Sequence, residues 1–84
     1  MKAYETLEIM RRRTRQIREA KGWRREDLAK RAGVSKTTIE ELENGRVGGQ
    51  LYTWVYIAEA LGIDLADLCT PDGGGGNIEK KADH

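Results

Sequence analysis

The sequence predicts an all-α fold of five short helices followed by a glycine-rich tail. Three observations carry that expectation. Apolar residues recur at helical spacing, and strand-type alternation is absent. Phenylalanine is missing and proline occurs once. Glycines stand where each helical pattern stops. The 84 residues suit one domain. Residues 1–69 are expected to fold, and residues 70–84 are expected to form a flexible tail.

A first helix is expected from roughly Tyr4 to Lys21, with Ala3, Leu7, Met10, Thr14 and Ile17 on its inner face. Gly22 is placed to stop it. Arg11, Arg12, Arg13, Arg15 and Arg18 crowd its second half. A second helix is expected from about Arg24 to Arg31, with Leu28, Ala29 and Ala32 facing inward. Gly33 supplies a turn and Val34 an apolar plug. Ser35 then caps a third helix, Lys36 to Asn44, because its hydroxyl can accept from an early unpaired N–H. Ile39 and Leu42 face the core from that helix. Val47, Gly48, Gly49 and Gln50 make a loop. A fourth helix, Leu51 to Leu61, is expected to turn Leu51, Trp54, Val55, Ala58 and Leu61 inward. Gly62 ends it, and Asp64 caps a fifth helix from Leu65 to Cys69.

Charge is distributed unevenly. Residues 1–36 carry 12 Lys or Arg against 5 Asp or Glu, while residues 37–84 carry 3 against 9. The net charge of +1 hides this. A basic half points to a polyanionic partner, or else to an ordinary solvated face. No apolar run reaches the roughly 20 residues of a membrane span. Met1 to Glu8 lacks the apolar core of a signal peptide, so a cytoplasmic protein is expected. Cys69 is the lone cysteine, which excludes an internal disulfide or a thiolate cluster. Gly73 to Gly76 lacks the Lys-Ser or Lys-Thr of a phosphate loop, and His84 has no partner. No nucleophile–base pair or metal constellation stands out. The chain is expected to be no enzyme and to need no cofactor.

Two short helices joined by a tight turn across residues 24–44 form a corner. To read DNA, such a corner needs a small residue at the crossing, a glycine in the turn and an apolar pin under the second helix. It also needs a free outer face. Ala29, Gly33 and Ile39 meet the first three needs, and Lys36, Thr37, Glu40 and Glu41 lie on the free face. The stretch Gly22 to Gly45 resembles the Cro/phage-repressor type of helix-turn-helix protein. The match lies in Leu28-Ala29, Gly33-Val34-Ser35, Ile39 and Leu42-Glu43-Asn44-Gly45, in order. Tyr56 to Leu68 continues it, and with Ile17-Arg18 the resemblance spans about residues 10–69.

The resemblance implies a compact five-helix, lambda-repressor-like DNA-binding domain, here with an extended basic first helix. It implies that the third helix enters the major groove and that Arg18 pairs with Glu43. Base-reading positions fall on Lys36, Thr37 and Glu41, with Thr38 beside them. Lys36 can donate to guanine, the Thr37 methyl can meet a thymine methyl, and Glu41 can accept from cytosine. The alternative for Glu41 is a solvated acid near phosphate that is merely tolerated. Glu40 suits an i, i+4 pair with Lys36. Phosphate contacts fall to Arg24, Arg25, Ser35, Asn44 and Arg46, and Arg25 stands where the family often has glutamine. Gly49 and Gln50 replace a common proline and a better cap, so that loop is expected to stay loose until DNA orders it. Trp23 and Trp54 are expected to pack in the core, whereas Tyr52 and Tyr56, four apart, are expected to face outward.

The reading that fits best is a regulator, a repressor acting as a homodimer on two-fold-related double-stranded DNA. By the resemblance, its dimer surface lies near Ile63 to Cys69. Ala3, Tyr4 and Leu7 are expected to cover core or to extend the dimer contact. Two alternatives stay open. One is a DNA-binding antitoxin whose C-terminal tail holds a protein partner. The other is a protein-interaction module on the same fold. Charge reversal of Arg25 is expected to separate DNA binding from protein binding.

Overall fold

A computed structural model describes residues 2–71. Five helices follow one another: α1 (Ala3–Ala20), α2 (Arg25–Ala32), α3 (Lys36–Asn44), α4 (Leu51–Leu61) and α5 (Leu65–Leu68), with no strand among the described residues. The bounds of α3 and α4 match the expectation from sequence. The others shift by a residue at one or both ends, as the first and last turns of helices do. The glycine-rich stretch and the rest of the tail lie outside the described residues.

The core is built from one stripe of each helix. Met10 of α1, Leu28, Ala29 and Ala32 of α2, and Ile39 and Leu42 of α3 meet Trp54, Ile57, Ala58 and Leu61 of α4 and Leu68 of α5. α4 packs against α1, α2 and α5, and α3 sits on α1 and α2. Thr14 is also buried. Its hydroxyl donates to the Met10 carbonyl at 2.7 Å, so the polar group is satisfied within its own helix.

Three expectations about packing need correction. In α4, Leu51 and Val55 face solvent, and Thr53 and Ile57 take the inner positions. The buried stripe is rotated by roughly 60° from the expected one, at about 3.6 residues per turn. Nearly every residue of α4 is apolar, so spacing alone did not fix which side faced in. In α1, Ala3 and Tyr4 are exposed and cover no core, whereas Leu7 packs against it. The helix simply overshoots the other elements by a turn. The α5 entry is capped by backbone alone: the Asp64 carbonyl accepts from Leu68 N–H at 3.2 Å, and its carboxylate makes no cap bond.

Candidate nucleic-acid interface

The corner between α2 and α3 is set by one left-handed residue. Gly33 has φ +76°, a conformation that a side chain disfavours. It lets Val34 N–H reach back to the Ala29 carbonyl at 3.0 Å, which closes α2 while the chain turns. Ala29 is buried at the crossing, and Ile39 is fully buried beneath α3. Ser35 begins the next helix by accepting from Thr38 N–H at 3.1 Å. Its hydroxyl also bonds the Thr38 hydroxyl at 2.9 Å. Thr38 is therefore half-buried and engaged with the cap, while Lys36 and Thr37 are exposed.

The outer rim carries a chain of charges. Arg24 Nη1 lies 3.9 Å from Glu26, Glu26 lies 3.9 Å from Lys36 Nζ, and Lys36 Nζ lies 3.6 Å from Glu40. The Glu40 contact is the i, i+4 pair expected from sequence. Exposed pairs of this kind contribute about 0–1 kcal/mol each, so a phosphate or base edge can exchange into them. Arg24 is the N-cap of α2, where its backbone N–H donates to Asp27 Oδ2 at 2.8 Å. Glu41 is half-buried, and Asn44 and Arg46 are exposed at the far end of α3.

Behind this rim lies a buried ionic cluster. Arg18 grips Glu43 with two parallel bonds, Nε to Oε2 at 2.8 Å and Nη2 to Oε1 at 3.0 Å. Its Nη1 donates to the Trp23 carbonyl at 2.9 Å. Arg25 adds a third arm, Nε to Glu43 Oε1 at 3.2 Å. One carboxylate thus ties α1, α2 and α3 together. The Arg25 arm was not foreseen. Its partner lies 18 residues away, and the contact depends on how α2 crosses α3, which no local pattern reveals. Arg25 is one-third exposed, so the residue expected to meet a phosphate is also committed to the fold. Its charge reversal would set a second carboxylate beside a buried one, and so cannot test DNA binding cleanly.

The loop after α3 is held, contrary to the loose segment expected. Trp54 Nε1 donates to the Gly48 carbonyl at 2.9 Å. Gly49 has φ +78°, and a Cβ there would stand 2.6 Å from Leu42 Cδ2. The glycine is needed for close approach of the loop to its own core. Beside this loop, Arg11 of α1 lies against Gly45 and pairs with Glu8. A groove of about 200 Å³ opens between α1 and the loop, with Leu7, Arg46 and Val47 among its walls. Trp23 is half-buried, with the Arg31 guanidinium 4.3 Å and the Lys21 ammonium 5.3 Å from its ring centre. Stacking of this kind holds cations near the start of α2.

The geometry brings Lys36, Thr37, Thr38, Glu41, Ser35 and Arg24 to the α3 face and the rim at its start, with Asn44 and Arg46 at its end. Comparison with known proteins agrees with this corner. Residues 9–68 match the family described as a helix-turn-helix domain. The chain belongs to that helix-turn-helix family. A curated relative, an uncharacterized HTH-type transcriptional regulator (y4dJ) from Sinorhizobium fredii, is 34% identical over 55 residues, covering 66% of this chain and 71% of its own. No solved structure matches the chain. The matched span of the helix-turn-helix chain contains all five corner residues from Ala29 to Ile39 that set the turn, together with both partners of the Arg18–Glu43 clasp. No helix of the described residues is long and apolar enough to cross a membrane.

Proposed function

We propose that this helix-turn-helix chain is a DNA-binding transcription regulator, a repressor that acts as a homodimer on a two-fold-related operator with α3 in the major groove. The observation that carries the reading is the α2–α3 corner, which leaves Lys36 and Thr37 exposed at the start of a helix clasped from behind by Arg18 and Glu43. Lys36 and Thr37 read base edges, with Thr38 and Glu41 flanking them. Arg24, Ser35, Asn44 and Arg46 contact phosphate around the same helix, and Arg25 does so with the donors that Glu43 leaves free. The HTH-type regulator among its relatives supports the class of activity.

Selection from a random double-stranded DNA library tests this reading. A two-fold motif, bound with an affinity that falls steeply as salt rises, is the expected result. Arg46→Glu is expected to weaken every sequence alike and to lower the salt slope by about 1. Recovery of no motif, with salt-insensitive binding, would overturn it. Glu40 and Glu41 on the same face favour one other reading, a protein-interaction module, for which Arg46→Glu leaves binding of the protein partner intact.

A further inference from the structure

The side of α4 turned away from the core carries Leu51, Tyr52, Val55 and Tyr56, which are 69, 58, 37 and 47% exposed. The two tyrosine rings pack edge to face with centroids 6.1 Å apart. Aromatic side chains offer about 150–250 Å² each, so the tyrosines alone leave roughly 200 Å² uncovered. With Leu51 and Val55 the patch reaches the few hundred Å² of the largest apolar patch on a typical monomer, which is often functional. No cation lies on α4, and Glu59 is its only charge, so nucleic acid does not suit this face.

We propose that two copies of the chain meet through this face of α4 rather than through α5. The proposal rests on the reading above, in which a two-fold operator needs a two-fold protein. Across a two-fold axis a patch meets itself, so it must not oppose like charges. The α4 face meets that condition when the two helices run antiparallel, because its one charge, the exposed Glu59, lies a turn beyond Tyr56 and the two copies then fall at opposite ends of the contact. The α5 segment does not. Leu68 is fully buried, and Ile63, Leu65 and Cys69 pack against the core. What that segment exposes most is Ala66 and the Asp64 carboxylate, while Ile63, Leu65, Asp67 and Cys69 are only partly exposed. Two copies joined there would set acid against acid. A standard interface takes about 800 Å² from each partner, so the α4 patch supplies the apolar centre of a small one. DNA carrying both half-sites strengthens such a dimer by holding the copies side by side. Tyrosine suits the position, because it gives large apolar area with a hydroxyl left for the wet rim.

Sedimentation velocity on the full chain, over a range of concentrations and without DNA, reads this directly. The double variant Tyr52→Glu/Tyr56→Glu is expected to keep its helical circular dichroism and to dimerise at least about tenfold more weakly. It should bind a DNA probe with one half-site as the parent does and lose the gain from a second half-site. Asp64→Lys/Asp67→Lys is expected to leave dimerisation within about twofold, as a surface change away from the contact does. If the tyrosine variant loses helicity, Val55→Cys in a Cys69→Ser background replaces it. Oxidation is then expected to link two copies. Unchanged dimerisation of a folded tyrosine variant, a response of the α5 variant instead, no cross-link through position 55, or a parent chain that stays monomeric with and without two-site DNA each overturns the proposal. Failure of the DNA selection would sink the operator reading alone, since the sedimentation result without DNA stands independently.

Discussion

Glu43→Gln isolates the clasp that holds α3 in place. The carboxylate is buried, and it accepts two bonds from Arg18 and one from Arg25. The amide keeps the shape but removes the charge, and its NH2 must face a guanidinium donor. Arg18 is then a buried cation whose remaining partners are the Trp23 carbonyl and, at 3.8 Å, the exposed Glu19 carboxylate. Breaking a buried pair by changing one member costs about 3–5 kcal/mol. A domain of this size loses about 4–8 °C of Tm per kcal/mol, so a drop of at least about 12 °C is expected. A thermal melt followed by helicity measures the drop, and urea unfolding followed by the fluorescence of Trp23 and Trp54 measures the free-energy loss. Arg18→Met should cost about as much, because it leaves the buried carboxylate with its weaker partner. Arg25→Met should cost no more than about 1 kcal/mol, since that arm is long and partly solvated. Loss of less than about 1 kcal/mol in Glu43→Gln, or equal losses in the two arginine variants, would refute this apportioning of the cluster.

Other outcomes follow from single contacts. Gly49→Ala should destabilise the fold by about 1–3 kcal/mol, since it combines a positive φ with a methyl driven into Leu42; unfolding by urea reads it. Ser35→Ala removes the α3 cap and should cost about 1 kcal/mol, visible in the same unfolding curve. Burial pushes the Cys69 thiol up, by desolvation of its charged form. The folded protein should therefore react more slowly with a thiol reagent than the urea-unfolded chain at the same pH. Because the native state favours the neutral thiol, this group's contribution to stability is present below the ordinary thiol range and fades as pH rises through it. Cys69→Ser should flatten that alkaline slope in a stability–pH profile.

Much of the fold was legible where one residue has one physical use. Ser35 ahead of α3, and the glycines at positions 45 and 62, mark their boundaries because caps and left-handed turns accept few residue types. The pairing of Arg18 with Glu43 entered through family resemblance, and spacing alone would not have found it. The inward side of α4 was misjudged because leucine, valine, isoleucine and tyrosine crowd both of its sides, leaving little contrast to read. The Arg25 arm and the approach of Gly49 to Leu42 were illegible for another reason. Each depends on how two elements cross, and the chain's local pattern carries no record of a crossing. On the candidate interface, the exposed positions of Lys36, Thr37 and Asn44 follow from helix phase and that of Arg46 from its place beyond the Gly45 cap, whereas the half-burial of Thr38 follows from the hydroxyl bond to Ser35.

The bond from the Trp54 indole to the Gly48 carbonyl joins the middle of the core to the segment leading out of α3. A single proton therefore sits at the junction of the core and the loop that follows α3. Its nuclear resonance is an intrinsic spectator: it needs no label beyond nitrogen isotope, and it belongs to a side chain buried in the core. Whatever settles on that loop, duplex or second subunit, must register there as a shift or a slower exchange with solvent. A change of Trp54 to Phe silences the spectator and frees the loop at once, so loosened binding after that change would come from inside the protein and not from its surface.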